Sequence, residues 1–434
     1  MSAAVSEELA EQEPIGARKP GLAGLLGRTT LDLTPLRESQ PFRRLFFGQA
    51  VSFVASEITF VAVPYQMYQL THSTLDVGLI YLTELGPLLV APIVGGAIAD
   101  AIERRRLLLV TEVVVALCSV GLALNATLGH PRVWALYVLN FALVSVASFG
   151  IPSMRSLLPR IVRDEKLAAA NALEGVYSNF AAVAGPALAG VVIASIGLAG
   201  AYLVDVASFG ASLASIWLLP PLPPAHDAER ASLRSILEGF RYVRSQPVVL
   251  GIFLVDTNAM IFGMPMALFP AIGEHLGGGS KTVGFLFAAP YAGALAASVF
   301  SGWLGNVRRQ GVGVLIAAAA WGGALVAFGY ATMLWLALAM LALAGAADYV
   351  SAVLRSTIVL TATPDALRGR VTGIEFTQVA AAPTLGNMEA GVVASLTSLR
   401  LSIVSGGIAC VAGCALLALA IPELLRYDAK PAAA

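Results

Sequence analysis

Twelve stretches of apolar residues follow one another along this chain, most of them longer than twenty residues and separated by short polar breaks. A helix needs about 20 apolar residues to cross the hydrocarbon core of a bilayer. Only helices and closed barrels can satisfy their own backbone polar groups there. The stretches run approximately over 44–70, 76–100, 106–129, 133–157, 166–196, 198–219, 247–272, 282–305, 311–331, 333–358, 366–397 and 399–421. They predict an all-α membrane protein with twelve transmembrane helices. Proline within them (Pro64, Pro87, Pro186, Pro265, Pro290, Pro383) is compatible with helix, because neighbouring spans can satisfy the freed backbone groups. Charged residues are 12% of the 434, about half of what a water-soluble fold carries, so a soluble domain is excluded. The 57% hydrophobic content excludes disorder. Lys+Arg and Asp+Glu balance at 27 each, so no basic excess points to nucleic acid.

The distribution of the basic residues carries more information than their number. With the N-terminus in the cytoplasm and the spans alternating, 24 Lys and Arg fall on the inner side, and only Arg132, Lys281 and Arg400 fall outside. This asymmetry predicts both termini inside. Glu7, Glu8, Glu11 and Glu13 precede any apolar stretch, the opposite of the basic start of a secretory signal, so no cleaved targeting peptide is expected. Cys118, Cys410 and Cys414 lie inside apolar runs without pairing or metal spacing, and read as small core residues.

The longest polar interruption, 220–246, opens on a proline-rich lead-out from Pro220 to Pro224 and then becomes amphipathic. Leu233, Ile236, Leu237 and Phe240 share one face, with Arg234, Glu238, Arg241 and Arg244 on others. It reads as a helix at the inner membrane surface, or as a plain charged linker. The domain plan is a cytoplasmic segment 1–40, a six-helix half 41–219, this central loop, a second six-helix half 247–421 and a tail 422–434.

The halves repeat. Glu57 and Asp256 are 199 residues apart, Pro64 and Pro265 201, Pro87 and Pro290 203. Gly96-x-x-x-Asp100 and Gly302-x-x-x-Asn306 are 206 apart, Arg155 and Arg355 200, Glu174 and Glu375 201, Pro186 and Pro383 197. Seven pairs in order, with matched topology, predict pseudo-symmetric halves with a substrate site between them near the midplane.

With these motifs the chain resembles the major facilitator superfamily over about 40–425. The segment from Gly96 to Arg105 is similar to that family's loop 2–3 signature, with Ala101 where the pattern usually has Arg. Gly185-Pro186-Ala187-Leu188-Ala189-Gly190 is similar to the antiporter motif of drug-exporting branches. Val63-Pro64, Thr71-His72-Ser73-Thr74, Val77-Gly78-Leu79, Phe285-Leu286, Leu157-Leu158-Pro159, Ala170-Asn171-Ala172 and Gly369-Arg370-Val371 resemble the enterobactin-exporter group, which shades into multidrug efflux proteins. The resemblance implies the major facilitator fold and export. It also implies an inner latch, in which Gly96, Asp100, Arg104 and Arg105 meet the eleventh span, with a weaker copy at Gly302 and Asn306. Gly185 and Pro186 would bend and pack the fifth span, and Arg155 and Arg355 would gate the cavity. The family's arginine at the middle of the fourth span has no counterpart in Val138-Leu139-Asn140-Phe141.

Carboxylates within spans are expensive, so function is their default reading. Glu57 lies 13 residues past Arg44, and Asp256 12 past Arg244, both near mid-bilayer. Glu174 and Glu375 lie nearer the inner side. All four are candidate proton carriers, because withdrawal from water disfavours the charged form of a carboxylic acid; the alternative for each is a structural bond to a neighbouring span. Glu112 reads as an ion-pair partner of Arg104–Arg106, and Asp348 as a neighbour of Arg355. Glu84, Asp205 and Glu389 have no assigned place. Phe60, Tyr65, Gln66, Tyr177, Asn179, Asn258, Phe262, Phe376 and Gln378 are candidate cavity residues for an amphipathic ligand, or packing residues.

No catalytic or zinc motif is present, so an enzyme is not expected. The reading is a monomeric, cofactor-free, proton-coupled exporter of amphipathic small molecules or drugs in the bacterial inner membrane. Siderophore export of the enterobactin type, import, and a non-transporting scaffold or sensor are the alternatives.

Overall fold

The computed structural model describes residues 32–155, 157–220 and 233–428, excluding the side chains of 91–101, 151–152, 155 and 233–236. Every regular element among the described residues is helical. The principal ones, in order, are α1 (Gln40–Thr71), α2 (Thr74–Ala101), α3 (Arg104–Thr127), α4 (Val133–Arg155) and α5 (Leu167–Trp217). The central α6 (Leu233–Ser245) follows. Then come α7 (Pro247–Phe262), α8 (Phe269–His275), α9 (Gly279–Val299), α10 (Gln310–Gly329), α11 (Leu334–Ala362), α12 (Asp365–Leu396) and α13 (Leu399–Ala420).

Nine helical stretches among the described residues are long and apolar enough to span a membrane. One of these, α5 with its preceding turn, contains two of the expected spans. Gly197 interrupts it with φ 76°, a left-handed value only glycine adopts freely, where the two spans were expected to meet. The α2 and α12 helices are 28 and 32 residues long, so the arrangement is consistent with twelve spans.

Local chemistry explains the helix ends. Ser39 caps α1 by accepting from the Phe42 N–H at 3.2 Å, and Ser398 caps α13 in the same way from Leu401. The stretch expected as one span over 247–272 lies in one candidate span, Pro247–His275, whose helix is interrupted. Helix α7 stops at Phe262, a 3-10 turn covers Met266–Leu268, and α8 resumes at Phe269. Pro265 cannot continue the helix. The freed groups find partners: Trp321 Nε1 donates to the Gly263 carbonyl at 3.1 Å, and Asn387 Oδ1 accepts from the Ala267 N–H at 2.8 Å. Its sequence counterpart Pro64 stays inside a continuous α1. The stretch expected to run to 305 ends as helix at Val299 and continues as a 3-10 turn, Ser301–Asn306.

Helices α1–α5 pack on one another, as do α7 and α9–α13. The two groups meet mainly through α2 against α12 and α5 against α9. The buried core is one large apolar cluster running through both groups, with two small satellites around Leu45 and Phe42.

A candidate chamber between the two helix groups

At one end the groups are sealed. Thr74 Oγ1 donates to the Gly391 carbonyl at 3.1 Å, and Ser280 Oγ to the Gly190 carbonyl at 3.1 Å. The helices touch backbone to backbone: a Cβ on Gly391 would lie 2.5 Å from the Thr74 carbonyl oxygen, and one on Gly284 2.5 Å from that of Pro186. Glycine is what permits this approach. His72, at the end of α1, stands 3.9 Å from Glu274 on α8, and Tyr65 lies close to Ser280 across the seam. Beneath these contacts Phe60 meets Phe287 edge-on at 5.8 Å, and Phe287 meets Phe269 at 5.0 Å.

Toward the other end the helices part. A Cβ on Gly175, four turns before Gly190 on α5, would meet nothing within 4 Å among the described residues, and the late turns of α9 leave Leu295, Val299 and Phe300 exposed. On α12, Gly373 lies 18 residues before Gly391 and therefore on the same face. Among the described residues nothing lies within 4 Å of where a Cβ on Gly373 would stand.

Between these ends several polar side chains face the space. Glu57 on α1 packs so closely on Gly185 of α5 that a Cβ at Gly185 would strike it. Its carboxyl makes no hydrogen bond or ion pair among the described residues, and Tyr291 of α9 lies within electrostatic reach. Glu84 on α2 accepts from Asn140 Nδ2 of α4 at 2.9 Å. Tyr291 also senses Asp348 of α11. Glu57, Glu84, Tyr291 and Asp348 are each enclosed by protein yet keep part of their surface accessible, as groups lining an internal chamber do.

Asp256 sits in a different setting from its sequence counterpart Glu57. It is ion-paired with Arg355 of α11, and Gln378 Nε2 of α12 reaches its Oδ2 at 3.2 Å, the Phe253 carbonyl at 2.9 Å and Thr257 Oγ1 at 2.8 Å. Arg355 also lies 3.9 Å from Asp348, the contact expected along α11, and within reach of Glu375. Glu375 accepts from Ser356 Oγ at 3.3 Å. This network lies wholly within the second helix group. Glu174 is half-buried near Tyr177.

Several expected cavity residues are engaged elsewhere. Gln66 is 1% exposed and accepts from the Tyr202 hydroxyl at 2.8 Å, tying α1 to the second part of α5. Asn258 donates to the Cys410 carbonyl at 2.9 Å, tying α7 to α13. Asn179 is exposed and donates to the Gly175 carbonyl of its own helix. Tyr177 stacks edge-on with Phe46 and Phe53 and lines an apolar groove of about 650 Å³ between α1 and α5, together with exposed Phe47 and Phe180. A buried amide satisfies itself between helices as readily as toward a ligand, which the sequence does not distinguish. Phe262 and Phe376 are both partly exposed.

Gly96 and Asp100 lie in the last turns of α2, but their side-chain surroundings, like the side chain of Arg155, lie outside what is described. Arg104 is buried. Arg105 serves α5 rather than a facing acid: it donates to the Trp217 carbonyl at 2.6 Å and stacks over the Trp217 ring. Gly302 meets nothing within 4 Å, so it makes no close helix contact, and Asn306 ends the 3-10 turn. Pro186 remains inside the helix with its carbonyl against Gly284. Glu112 accepts from the Gln49 amide at 3.5 Å, which also donates to Ser212 Oγ at 2.8 Å, where an arginine partner was expected.

Sequence reasoning missed Tyr81, Glu84 and Tyr291 as chamber groups, and Asp205 as a hub. Asp205 is 1% exposed and accepts from Thr59 at 2.7 Å, Ser119 at 2.9 Å and Ser56 at 3.1 Å, tying α1, α3 and α5. The signal was present as hydroxyls in the first and third spans, Ser56, Thr59 and Ser119, for an acid in the sixth.

A family model described as transmembrane secretion effector matches residues 30–433. The enterobactin exporter EntS of Shigella boydii is 31% identical over 402 residues, covering 92% of this chain and 96% of that protein. The enterobactin exporters EntS of Escherichia coli O139:H28 and Escherichia fergusonii match to the same extent. Among solved structures, the nucleoside transporter NupG superposes with a TM-score of 0.72 at 12% identity, covering 89% of this chain and all of that one. An inward-facing bacterial homologue of the lysosomal transporter Spinster gives 0.65 at 16%, over 90% and 98% of the two chains. At such identities these two likenesses concern the fold.

Proposed function

Since the chain belongs to the transmembrane secretion effector family of the major facilitator superfamily, we propose that this multi-pass membrane transporter is a proton-coupled exporter of amphipathic small molecules. It works as a monomer in the bacterial inner membrane and uses no cofactor beyond the proton gradient. The excess of basic residues at the end bearing the central helix supports placing both termini in the cytoplasm. In that orientation the sealed end is external and the chamber faces the cytoplasm.

The observation that carries the reading is the Glu57 carboxyl. It stands in the chamber, at the seam of α1 and α5, with no hydrogen bond or ion pair among the described residues. An uncommitted carboxyl can hold a proton in one conformation and surrender it in the other. Cargo entering from the cytoplasm displaces the proton. Rocking of the two helix groups then opens the external end, where cargo leaves and a proton returns. Asp256, by contrast, is committed to Arg355.

A second reading is export of an acidic siderophore, favoured by the 31% identity over 92% of this chain to proteins named enterobactin exporters. Everted membrane vesicles separate the readings. Acidifying their lumen should drive uptake of a lipophilic dye cation by wild type, and Glu57→Gln should abolish that uptake while inserting normally. Uptake of a catecholate siderophore with no dye uptake would favour the second reading. A Glu57→Gln protein transporting at wild-type rate would remove the coupling proposal.

A further inference from the structure

Tyr81 is 3% exposed, and its hydroxyl has no hydrogen-bond partner among the described residues. Glu84 and Tyr291 lie within electrostatic reach of it. Buried polar groups are almost always satisfied, so an orphan hydroxyl in a chamber wall marks a place where something else binds. What surrounds it specifies the chemistry. Asn140 occupies only one oxygen of Glu84 and leaves the other open. No cation among the described residues stands against Glu57 or Glu84, and the Arg355 that reaches Asp348 is already paired with Asp256. Phe60 packs edge-on against both Tyr81 and Phe287, presenting aromatic surface beside the acids.

We propose that Tyr81, Glu84 and Tyr291, with Asp348 opposite, form a subsite for a protonated amine carried by an aromatic or amphipathic cargo. This deepens, and rests on, the transport reading above. An ammonium group meets each unmet requirement of the site. One N–H donates to the Tyr81 oxygen, another to the open oxygen of Glu84, and the positive charge offsets carboxylates that lack a base. The aromatic faces accept the cation and the apolar body of the ligand. The site also joins the two helix groups: Tyr81 and Glu84 come from one, Tyr291 and Asp348 from the other. Bound amine therefore bridges the parts that must move, which is where a cargo can influence the conformational equilibrium.

The test uses the purified full chain in detergent and three fluorescent probes of one shape: 1-naphthylmethylammonium, its N,N,N-trimethyl analogue and 1-naphthylacetate. The ammonium probe should bind at least tenfold more tightly than the acetate. Glu84→Gln should weaken it about tenfold or more. Tyr81→Phe, which removes only the orphan hydroxyl, should weaken the N–H-bearing probe several-fold and leave the trimethyl analogue unchanged. Monodispersity and melting temperature establish that each variant is folded. Equal binding of ammonium and acetate, or ammonium affinity unchanged in Glu84→Gln, overturns the proposal. Ammonium binding with the expected variant pattern in a protein that carries out no proton-driven flux upholds the subsite and strikes the transport reading alone. Flux without ammonium binding does the reverse.

Discussion

Replacing Arg355 by Gln discriminates between the two acids that the repeat places in register. Arg355 and Asp256 have side chains only 10% and 5% exposed, and they form an ion pair. Removing one member of such a buried pair leaves the other charge uncompensated and costs about 3–5 kcal/mol. Here the remainder is poor: Asp256 keeps the Gln378 amide at 3.2 Å, while Asp348 at 3.9 Å and Glu375 lose the same base. At roughly 2 °C per kcal/mol for a large chain, the melting midpoint should fall by on the order of 6–10 °C. The assay is thermal unfolding of purified protein, read by intrinsic tryptophan fluorescence. Asp256→Asn combined with Arg355→Gln should recover at least half of the loss, since a neutral pair leaves no buried charge. An unchanged midpoint in Arg355→Gln would refute the structural role. So would an Asp256→Asn protein that keeps its midpoint and loses proton-driven export, because Asp256 would then be the carrier.

Other expectations follow from particular contacts. Gly284→Ala puts a methyl 2.5 Å from the Pro186 carbonyl oxygen, so the sealed end must separate; a cysteine at Ser73 should then react several-fold faster with a membrane-impermeant maleimide. Asp205→Ala strands three hydroxyls that donate at 2.7–3.1 Å, and bonds to a charged acceptor are worth about 1.5–3 kcal/mol each, so stability should fall by roughly 3 kcal/mol or more in the same thermal assay. At the start of the described chain, Thr34 and, secondarily, Lys166 hold the Asp32 carboxyl down to about 2 from 3.8. A lowered pKa stabilises the folded form fully above 3.8 and ceases to do so as pH falls through 2. Hydrogen-exchange protection at residues 32–38, relative to the intrinsic exchange rate at each pH, should therefore fall over that window and remain flat above it.

Much of this architecture is written in hydropathy. Span length, the meeting of two spans near Gly197 and the recurrence of Pro64, Glu57 and Pro186 as Pro265, Asp256 and Pro383 need no partner helix to be read. What the sequence does not state is rotation about each helix axis. Glu84 and Glu57 look alike in a hydrophobic run, yet whether either faces lipid, a neighbour or a chamber depends on helices remote in sequence, such as α4 supplying Asn140 to Glu84. For the same reason Gln66 and Asn258, chosen for their polarity, proved to be ties between helices. Equivalent sequence positions also do not fix equivalent environments. Pro265 ends a helix where Pro64 does not, and Asp256 has acquired an arginine that Glu57 lacks.

The account stands on a chamber that opens at one end when the other closes. Pulsed electron spin distances in nanodiscs measure this directly, with one label pair at Ser73 and Glu274 across the sealed end and another at Asn171 and Val299 across the parted end. Two populations are expected, with distances that change in opposite senses as pH and amine probe are varied. A single fixed distance for both pairs under every condition would contradict it.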